Sequence, residues 1–541
     1  MQILKNKWKG IEISSLQFGL EGLIAGLRFR PKLPAVNVRN IVQRINVEHV
    51  KQRLQKVAER GKYKRKKKQP KLSDDTRLFR LSKNDYLTFR NLCEGVLIFG
   101  NTGSGKTSGS GQHLRTALLS YMAGGQVHTV KPEDAADWLE ACRLAGRQEQ
   151  VIHVSPESGH RFNFIEYLAA QSEQGDTLTM NITDLYITLA EIDNTAGKSG
   201  GDPYWTAAMK QLISNAIDTV RLSGRKLTLD SIHSVINSLP DDVASIGRRR
   251  WQQQSECYQM LQEASSQPLT ELQQHDLKMT RQYILQEWPA MGSKQRASIK
   301  QMYSSLADNL MRGTLYDMLG TKTTFVPEYT HHGCIIILDM PVKVYGKAGR
   351  YFQLIMKRIF QDAAERRAKG REQVAQQSPV FLWADEFQNF FSKHDYQFQA
   401  TARSARVASV YITQNISNLL AVIGSSGQPI VDALSGSLVT KIFHANTDVP
   451  TQRWAADLIG KSIQHRRNFS AGAASRAGMR SNTGASEQID YKIQPSDFAG
   501  LATGGPANQY QVQAIVFNPS VTFKASSESW LKVIFMQREA V

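Results

Sequence analysis

The 541-residue chain is short of acid, of cysteine and of long apolar runs. Its four cysteines, Cys93, Cys142, Cys257 and Cys334, are far apart and show no CxxC or Cys/His ligand spacing. That excludes a disulfide framework and the common zinc motifs, and it fits free thiols in a reducing compartment. No stretch reaches the roughly 18–20 uninterrupted apolar residues of a membrane-spanning helix. The best candidate, "SSLQFGLEGLIAGLRF", carries Glu21 and Arg28 with no small-residue cleavage site after it. It reads as a short amphipathic or buried helix rather than a signal peptide, and the chain is expected to be cytoplasmic. Against 67 Lys and Arg there are only 48 Asp and Glu, a net charge of +19. A surplus of that size favours a polyanionic partner, either nucleic acid or an anionic membrane surface.

What is present is ordinary for a folded chain, with 41% hydrophobic and 21% charged residues, and the length calls for two or more domains. Residues 1–72 form a basic segment ending in "RGKYKRKKKQPKL", a solvated linker that is also able to bind phosphates. From 73 to 173 short apolar runs alternate with helical patterns: "NLCEGVLIFG", then "SGSGQHLRTALLSYMAGG", then "QVHTVKPEDAADWLEACRLAGR" and "QVIHVSP". Such alternation predicts an α/β fold with a parallel sheet. Residues 174–320 show helical periodicity only, as in "DPYWTAAMKQLISNAIDTVRL" and "SIKQMYSSLADNLM", and are expected to form an all-α insertion. Strands return over 321–541 in "GCIIILDMP", "PVFLWADE", "VASVYITQN" and "GSLVTKIFHAN", with a hairpin or edge strands at the end. The Gly/Ala/Ser-rich "FSAGAASRAGMRSNTGAS" reads as a mobile loop. No internal repeat is visible.

"GNTGSGKT" fits G-x-x-x-x-G-K-[ST] at Gly100, Gly105, Lys106 and Thr107, between an apolar strand and a helix. Glycines let the chain wrap so that backbone N–H groups converge on a phosphate in front of the positive end of the following helix. The segment Gly100, Asn101, Thr102, Gly103, Ser104, Gly105, Lys106, Thr107 and Ser108 is therefore the candidate cradle for ATP. Lys106 is expected to reach the β- and γ-phosphates and the Thr107 hydroxyl to ligate Mg2+. "PVFLWADE" supplies the acids, Asp385 for the metal and Glu386 to activate the attacking water. Asp339 in "ILDMP" is a weaker rival. Gln414, at the end of "YITQ", is a candidate γ-phosphate sensor or a helix cap. Arg403 and Arg406 in "TARSARVAS" are candidate arginine fingers acting on a neighbouring subunit, or simply basic surface residues.

Taken together, "VLIFGNTGSGKTSG", "VKPEDAADWLEACRLAGR", "HRFNFIEYL", "PYWTAAMKQLISNAID", "FLWADEFQNF", "VYITQNISNL" and "WAADLIGKS" resemble the FtsK/HerA-like ring ATPases. More narrowly they resemble the conjugative coupling proteins of type IV secretion systems, the VirD4/TraG/TraD family. The resemblance spans roughly residues 80–535 and implies a RecA-like P-loop domain with an inserted all-α domain. It also implies a ring, expected to be a homo-hexamer, that hydrolyses ATP with Mg2+ to move DNA, without regard to sequence, towards a secretion channel. Relaxase or relaxosome proteins and channel components are the implied partners. Many members begin with two transmembrane helices, which this sequence does not show. Membrane contact is then expected through a partner or the basic N-terminal segment, peripheral to the inner face of the membrane. Related readings are a protein-delivering ring ATPase, a nucleotide-dependent docking adaptor and a HerA-like DNA-processing or defence ATPase.

Overall fold

Apolar runs of four to seven residues rich in Val, Ile and Phe set the architecture, because they bury on both faces and so become strands of a covered sheet. The computed structural model describes residues 73–171, 176–195, 203–368, 378–424, 427–472 and 480–537; the basic run within 1–72 lies outside them. Two short strands, β1 (Arg77–Arg80) and β2 (Tyr86–Thr88), pair antiparallel. The main sheet is built from β3 (Val96–Phe99), β4 (Gly124–His128), β5 (Val151–Val154), β6 (Ile335–Leu338), β7 (Val380–Ala384), β8 (Val407–Thr413) and β9 (Thr440–Phe443). Beyond β9, the chain forms a separate hairpin, β10 (Lys461–Gly472) and β11 (Arg480–Tyr491), then β12 (Gln511–Phe517) and β13 (Trp530–Met536). The nine-stranded order is β13-β12-β9-β3-β8-β7-β4-β6-β5, parallel from β9 to β5, with β12 antiparallel to β9 and β13 antiparallel to β12. Every residue of β3, β6, β7, β8 and β9 is buried.

Helices cover the sheet. In chain order the ones used below are α1 (Gln112–Ser120), α2 (Asp134–Leu144), α3 (Asp176–Thr195), α4 (Pro203–Ser223), α5 (Leu229–Asn237), α6 (Glu256–Ser266), α7 (Glu271–Gln282), α8 (Ser293–Leu310), α9 (Gly313–Gly320), α10 (Val342–Arg367), α11 (His394–Ala402), α12 (Ile416–Ile423) and α13 (Val449–Ile459). Between β5 and β6 the described residues contain helices and no strand. Their starts are legible locally. Thr228 and Ser231 form a reciprocal capping box on α5, Thr270 and Gln273 another on α7, and Ser255 caps α6. α4 buries Met209, Leu212, Ile213, Ala216, Ile217 and Val220, a stripe at three- and four-residue spacing, against α3, α5, α6 and α8.

The stretch expected to be a loop is instead a hairpin. β10 and β11 pair antiparallel without a break from Lys461↔Tyr491 to Gly472↔Arg480, leaving only 473–479 outside the described residues. Local Gly, Ala and Ser content hid it because strand pairing is set by partners between 8 and 30 residues away, and Ile463, Phe469, Thr483 and Ile489 supply strand-forming residue types among the small ones.

A buried polar layer ties α10 to the sheet. The His128 Nδ1 lies 2.8 Å from Gln353 Oε1, and the Gln353 amide donates to the carbonyls of Leu338 and Met340. One turn on, the Lys357 ammonium donates to Asp395 Oδ2 at 2.6 Å, with both side chains essentially inaccessible, while the Gln361 amide donates to Asp395 Oδ1. This ion pair locks α10 to the segment that follows β7.

Lys441, in the middle of β9, is a different case: it is 4% exposed, and burial pushes its ammonium down to about 8. The folded pKa lies below the ordinary value of 10.5, so the charged form opposes folding below pH 8 and that penalty fades as pH rises from 8 to above 10.5. Lys441→Met should therefore stabilise the protein by roughly 2–3 kcal/mol at pH 7. In urea melts the advantage should shrink as pH rises past 8 and be largely gone above pH 10.5, where the wild-type lysine is mostly neutral in both states.

Candidate functional site

The parallel ladder brings the C-terminal ends of β3, β8 and β7 side by side, and the candidate residues sit on those ends. After Phe99 the loop is pinned to both neighbouring strands: Gly100 N–H donates to the Gln414 carbonyl at 3.2 Å, and Asn101 N–H to the Ala445 carbonyl at 2.9 Å. Gly103 and Gly105 have φ of 76° and 80°, a conformation that costs other residues about 1–2 kcal/mol. At Gly105 a Cβ would also lie 2.6 Å from Val512 Cγ2, since β12 closes one side of the loop. The chain then enters a π-type turn, with Gly111 N–H donating to the Lys106 carbonyl at 2.9 Å, which continues into α1. Behind it Ser110 Oγ and His444 Nε2 lie 2.7 Å apart, both buried.

Lys106 and Thr107 meet the two acids at the end of β7. Thr107 Oγ1 donates to Asp385 Oδ2 at 2.8 Å, and Lys106 Nζ lies 3.7 Å from Glu386 Oε1. Burial pushes the Asp385 carboxyl above its ordinary range, opposed by the Thr107 hydrogen bond and the Lys106 charge. Glu386 is 6% exposed and adopts a left-handed φ of 49°, held there by the Asn389 backbone and side-chain amides, which both donate to its carbonyl. A strained, buried residue fixed in this way is a feature of functional sites. Its Oε2 accepts from Gln388 Nε2 at 2.6 Å and from Gln414 Nε2 at 3.2 Å, and the Gln388 side-chain carbonyl in turn accepts from Thr413 Oγ1.

The residues fit a magnesium nucleotide on chemistry visible in the chain. A hydroxyl and a carboxylate from Thr107 and Asp385 make the hard-oxygen pair that Mg2+ prefers. Ser104 Oγ, inside the loop, is buried with no hydrogen-bond partner among the described residues, as a donor awaiting a phosphate oxygen would be.

Three further groups touch this cluster and had no assigned role from sequence. Gln388 is one. Lys131, just beyond the end of β4, places Nζ 3.9 Å from Glu386 Oε1, on the same carboxylate oxygen that faces Lys106. Its turn is fixed by Asp134, whose carboxylate accepts from the Val130 and Lys131 N–H groups at 2.8 Å each. Burial, with the charge of Asp385 adding to it, pushes Asp134 up to about 6. Thr107, Arg115, Asp134, Asp137, Trp383 and Asp385 line a cleft beside the acids. The third is Gln537, after β13, whose amide donates to Ser108 Oγ. The available signal for Lys131 was "VKPED" directly after a buried strand; for Gln388 and Gln537 there was none.

Not every candidate joins. Asp339, two strands away from β7, pairs with His153 at 2.7 Å. Arg406 stands at the opposite end of β8 from Gln414, 8% exposed, with Nε donating to Asp74 at 2.9 Å and its guanidinium over the Phe89 ring. That ion pair with the half-exposed Asp74 side chain and the ring contact engage the Arg406 guanidinium within its own chain. Arg403 has a side chain 57% exposed and lies 3.4 Å from Glu94.

The family described as type IV secretory system conjugative DNA transfer matches residues 47–496. Among curated proteins no match is found. Solved structures similar in fold include the bacterial conjugative coupling protein TrwB in an unbound form, 14% identical with a TM-score of 0.53 over 83% of this chain and 86% of that one. The plasmid coupling protein TrwB with the ATP analogue ADPNP is 13% identical, TM-score 0.55, over 86% and 91% of the two chains. Its complex with ADP and Mg2+ is 12% identical, TM-score 0.55, over 85% and 91%.

The two loop glycines differ in a testable way. Gly103→Ala meets open space and carries only the cost of a positive φ, whereas Gly105→Ala adds a collision with Val512. Titration with a fluorescent ATP analogue should show a weakening of roughly fivefold for the first and roughly tenfold or more for the second, from about 1 and about 1.5–3 kcal/mol.

Proposed function

The chain belongs to the type IV secretory system conjugative DNA transfer family, and from that premise we propose that it is an ATP-hydrolysing, DNA-translocating coupling ATPase. In this reading it delivers a DNA–relaxase cargo to a secretion channel as a ring of identical copies. The observation that carries the reading is the convergence of Lys106, Thr107, Asp385, Glu386 and Gln414 on one end of the parallel sheet.

Each residue has its part in hydrolysis. Backbone N–H groups of 103–107 and the Lys106 ammonium hold the β- and γ-phosphates of ATP, and the Ser104 hydroxyl gains its missing partner there. Thr107 and Asp385 would hold Mg2+, which when bound neutralises charge developing on the β–γ bridging region. Glu386 accepts the proton of the attacking water. Gln388 and Gln414 keep its carboxylate oriented, and Gln414, on the strand between β3 and β7, is placed to bond the γ-phosphate. Lys131 supplies a second positive charge beside the reacting group. Arg403, near the N-terminal end of β8 and so remote from its own loop, is suited to act on the next copy in a head-to-tail ring.

The net charge of +19 supports DNA as the polyanion moved, through phosphate contacts that tolerate any sequence. Steady-state ATP hydrolysis with and without single- and double-stranded DNA, at two salt concentrations, tests the proposal. DNA should raise the rate, salt should suppress the stimulation, and Lys106→Ala or Glu386→Gln should lower kcat by on the order of a hundredfold or more. Robust hydrolysis indifferent to DNA would transfer the assignment to a motor or adaptor for protein cargo.

A further inference from the structure

The groups assigned to the γ-phosphate, Lys106, Glu386, Gln414 and Lys131, lie from β3 towards β8, β7 and β4. In a loop of this type the lysine reaches the β- and γ-phosphates, and backbone N–H groups cradle the α- and β-phosphates. A bound triphosphate therefore runs away from β7. Its sugar and base leave the loop on the other side of β3, where the sheet continues into β9, β12 and β13. The hydrolytic groups make no use of that side.

That side rises above the loop. Phe99, at the end of β3, is level with Phe443 of β9, which is level with Ile515 of β12. Gln511 to Ala514 therefore extend past the end of β3 and flank the loop, and β13 follows them, Gln511 pairing with Met536. Val512 is the side chain that a Cβ at Gly105 or Gly109 would meet, at 2.6 and 2.9 Å. One step further on, Gln537 N–H donates to the Tyr510 carbonyl at 2.9 Å, so these two residues face each other across the ladder.

Gln537 joins the phosphate loop to the turn that precedes β12. Its amide donates to Ser108 Oγ at 2.6 Å, and its side-chain carbonyl accepts from Gly505 N–H at 2.7 Å. A Cβ at Gly504 would collide with the same side chain. The turn is closed on itself by Tyr510 N–H, which donates to the Gly505 carbonyl at 2.8 Å, and by Asn508 Nδ2, which donates to the Gly504 carbonyl at 3.0 Å. Gln509 and Tyr510 are both left-handed, with φ of 52° and 58°. Glycine adopts that region freely, whereas a bulky side chain there is an outlier of the kind that gathers at ligand clamps. Tyr510 is half-buried and is the aromatic residue of the turn.

We propose that Tyr510 is the platform on which the base of the bound nucleotide stacks, and that Gln537 is a positioning residue that sets this platform against the phosphate loop through Ser108. An aromatic ring suits the task because every nucleobase presents a π-face. The inference rests on the ATPase reading and adds the nucleoside half of the same site.

Calorimetric titration of the full chain with MgATP and, in parallel, with magnesium tripolyphosphate tests it, since the second ligand carries the phosphates without sugar or base. Tyr510→Ala should weaken ATP binding roughly tenfold, the size of a lost base–aromatic stack. Tripolyphosphate should bind as it does to the wild type, which also reports that the variant is folded. Tyr510→Phe keeps the ring and should keep the ATP affinity. Gln537→Ala should weaken ATP more mildly, with the loss appearing in the KM for ATP rather than in kcat. A Tyr510→Ala chain that binds ATP as the wild type does, or that loses both ligands equally, overturns the platform. So does a Tyr510→Phe chain as weak as the alanine variant. An unchanged KM in Gln537→Ala overturns the positioning role alone. A wild-type chain that binds neither ligand overturns the ATPase reading and the platform with it.

Discussion

The hydrogen bond from Gly100 N–H to the Gln414 carbonyl is the contact on which the site depends. It extends the parallel pairing of β3 and β8 one step past the last strand residues, and so turns sheet register into active-site geometry. Because Phe99 is level with Thr413, and Ala384 with Tyr411, the loop, the glutamine and the two acids emerge at the same edge of the sheet. Each strand is fully buried, which makes a slip in register costly, since it would move four or more apolar side chains out of fitted positions. The rigid sheet thus carries the precision that the chemistry needs, and the loops are held to it by a few well-aimed backbone bonds.

Around Glu386 the structure concentrates strain and charge in a small volume. A left-handed backbone, two amide donors on one carboxylate oxygen and two ammonium groups near the other hold the side chain in its aim. Directly behind, the Lys357–Asp395 pair and the stacked Phe387 and Tyr411 rings, 4.0 Å between centroids, keep the turn after β7 from relaxing. Removing either member of such a buried pair leaves an uncompensated charge and is far more harmful than never having had the pair. The strain at Glu386 is sustained by this backing rather than by local preference.

Much of this was legible in the sequence because the signals are local. The P-loop glycines and lysine, the apolar run before Asp385 and Glu386, and the capped helices between β5 and β6 each lie within about ten residues of chain. What escaped is what only pairing in space creates. The β10–β11 hairpin has the small-residue content of a loop and becomes a strand pair only through its register. Gln388, Lys131 and Gln537 come from three separate places in the chain and carry no motif, yet each touches the P-loop or the glutamate. Arg406 reads in sequence as one basic residue beside another, and only the fold reveals Asp74 beneath it, 332 residues earlier in sequence.

The closure of the nucleotide loop by the last strands has a consequence for how the protein is made. β3 is among the first strands synthesised, but its flanking strands β8 and β9 follow some 300 residues later, and the contacts of Val512 with Gly105 and of Gln537 with Ser108 come later still. A chain still on the ribosome therefore carries its phosphate-binding motif with neither walls nor ladder. Contacts of such long sequence separation form late and slowly, so the nucleotide loop gains its last supports only once β12 and β13 have been made. A truncated chain therefore lacks the last supports of its nucleotide loop, by topology alone.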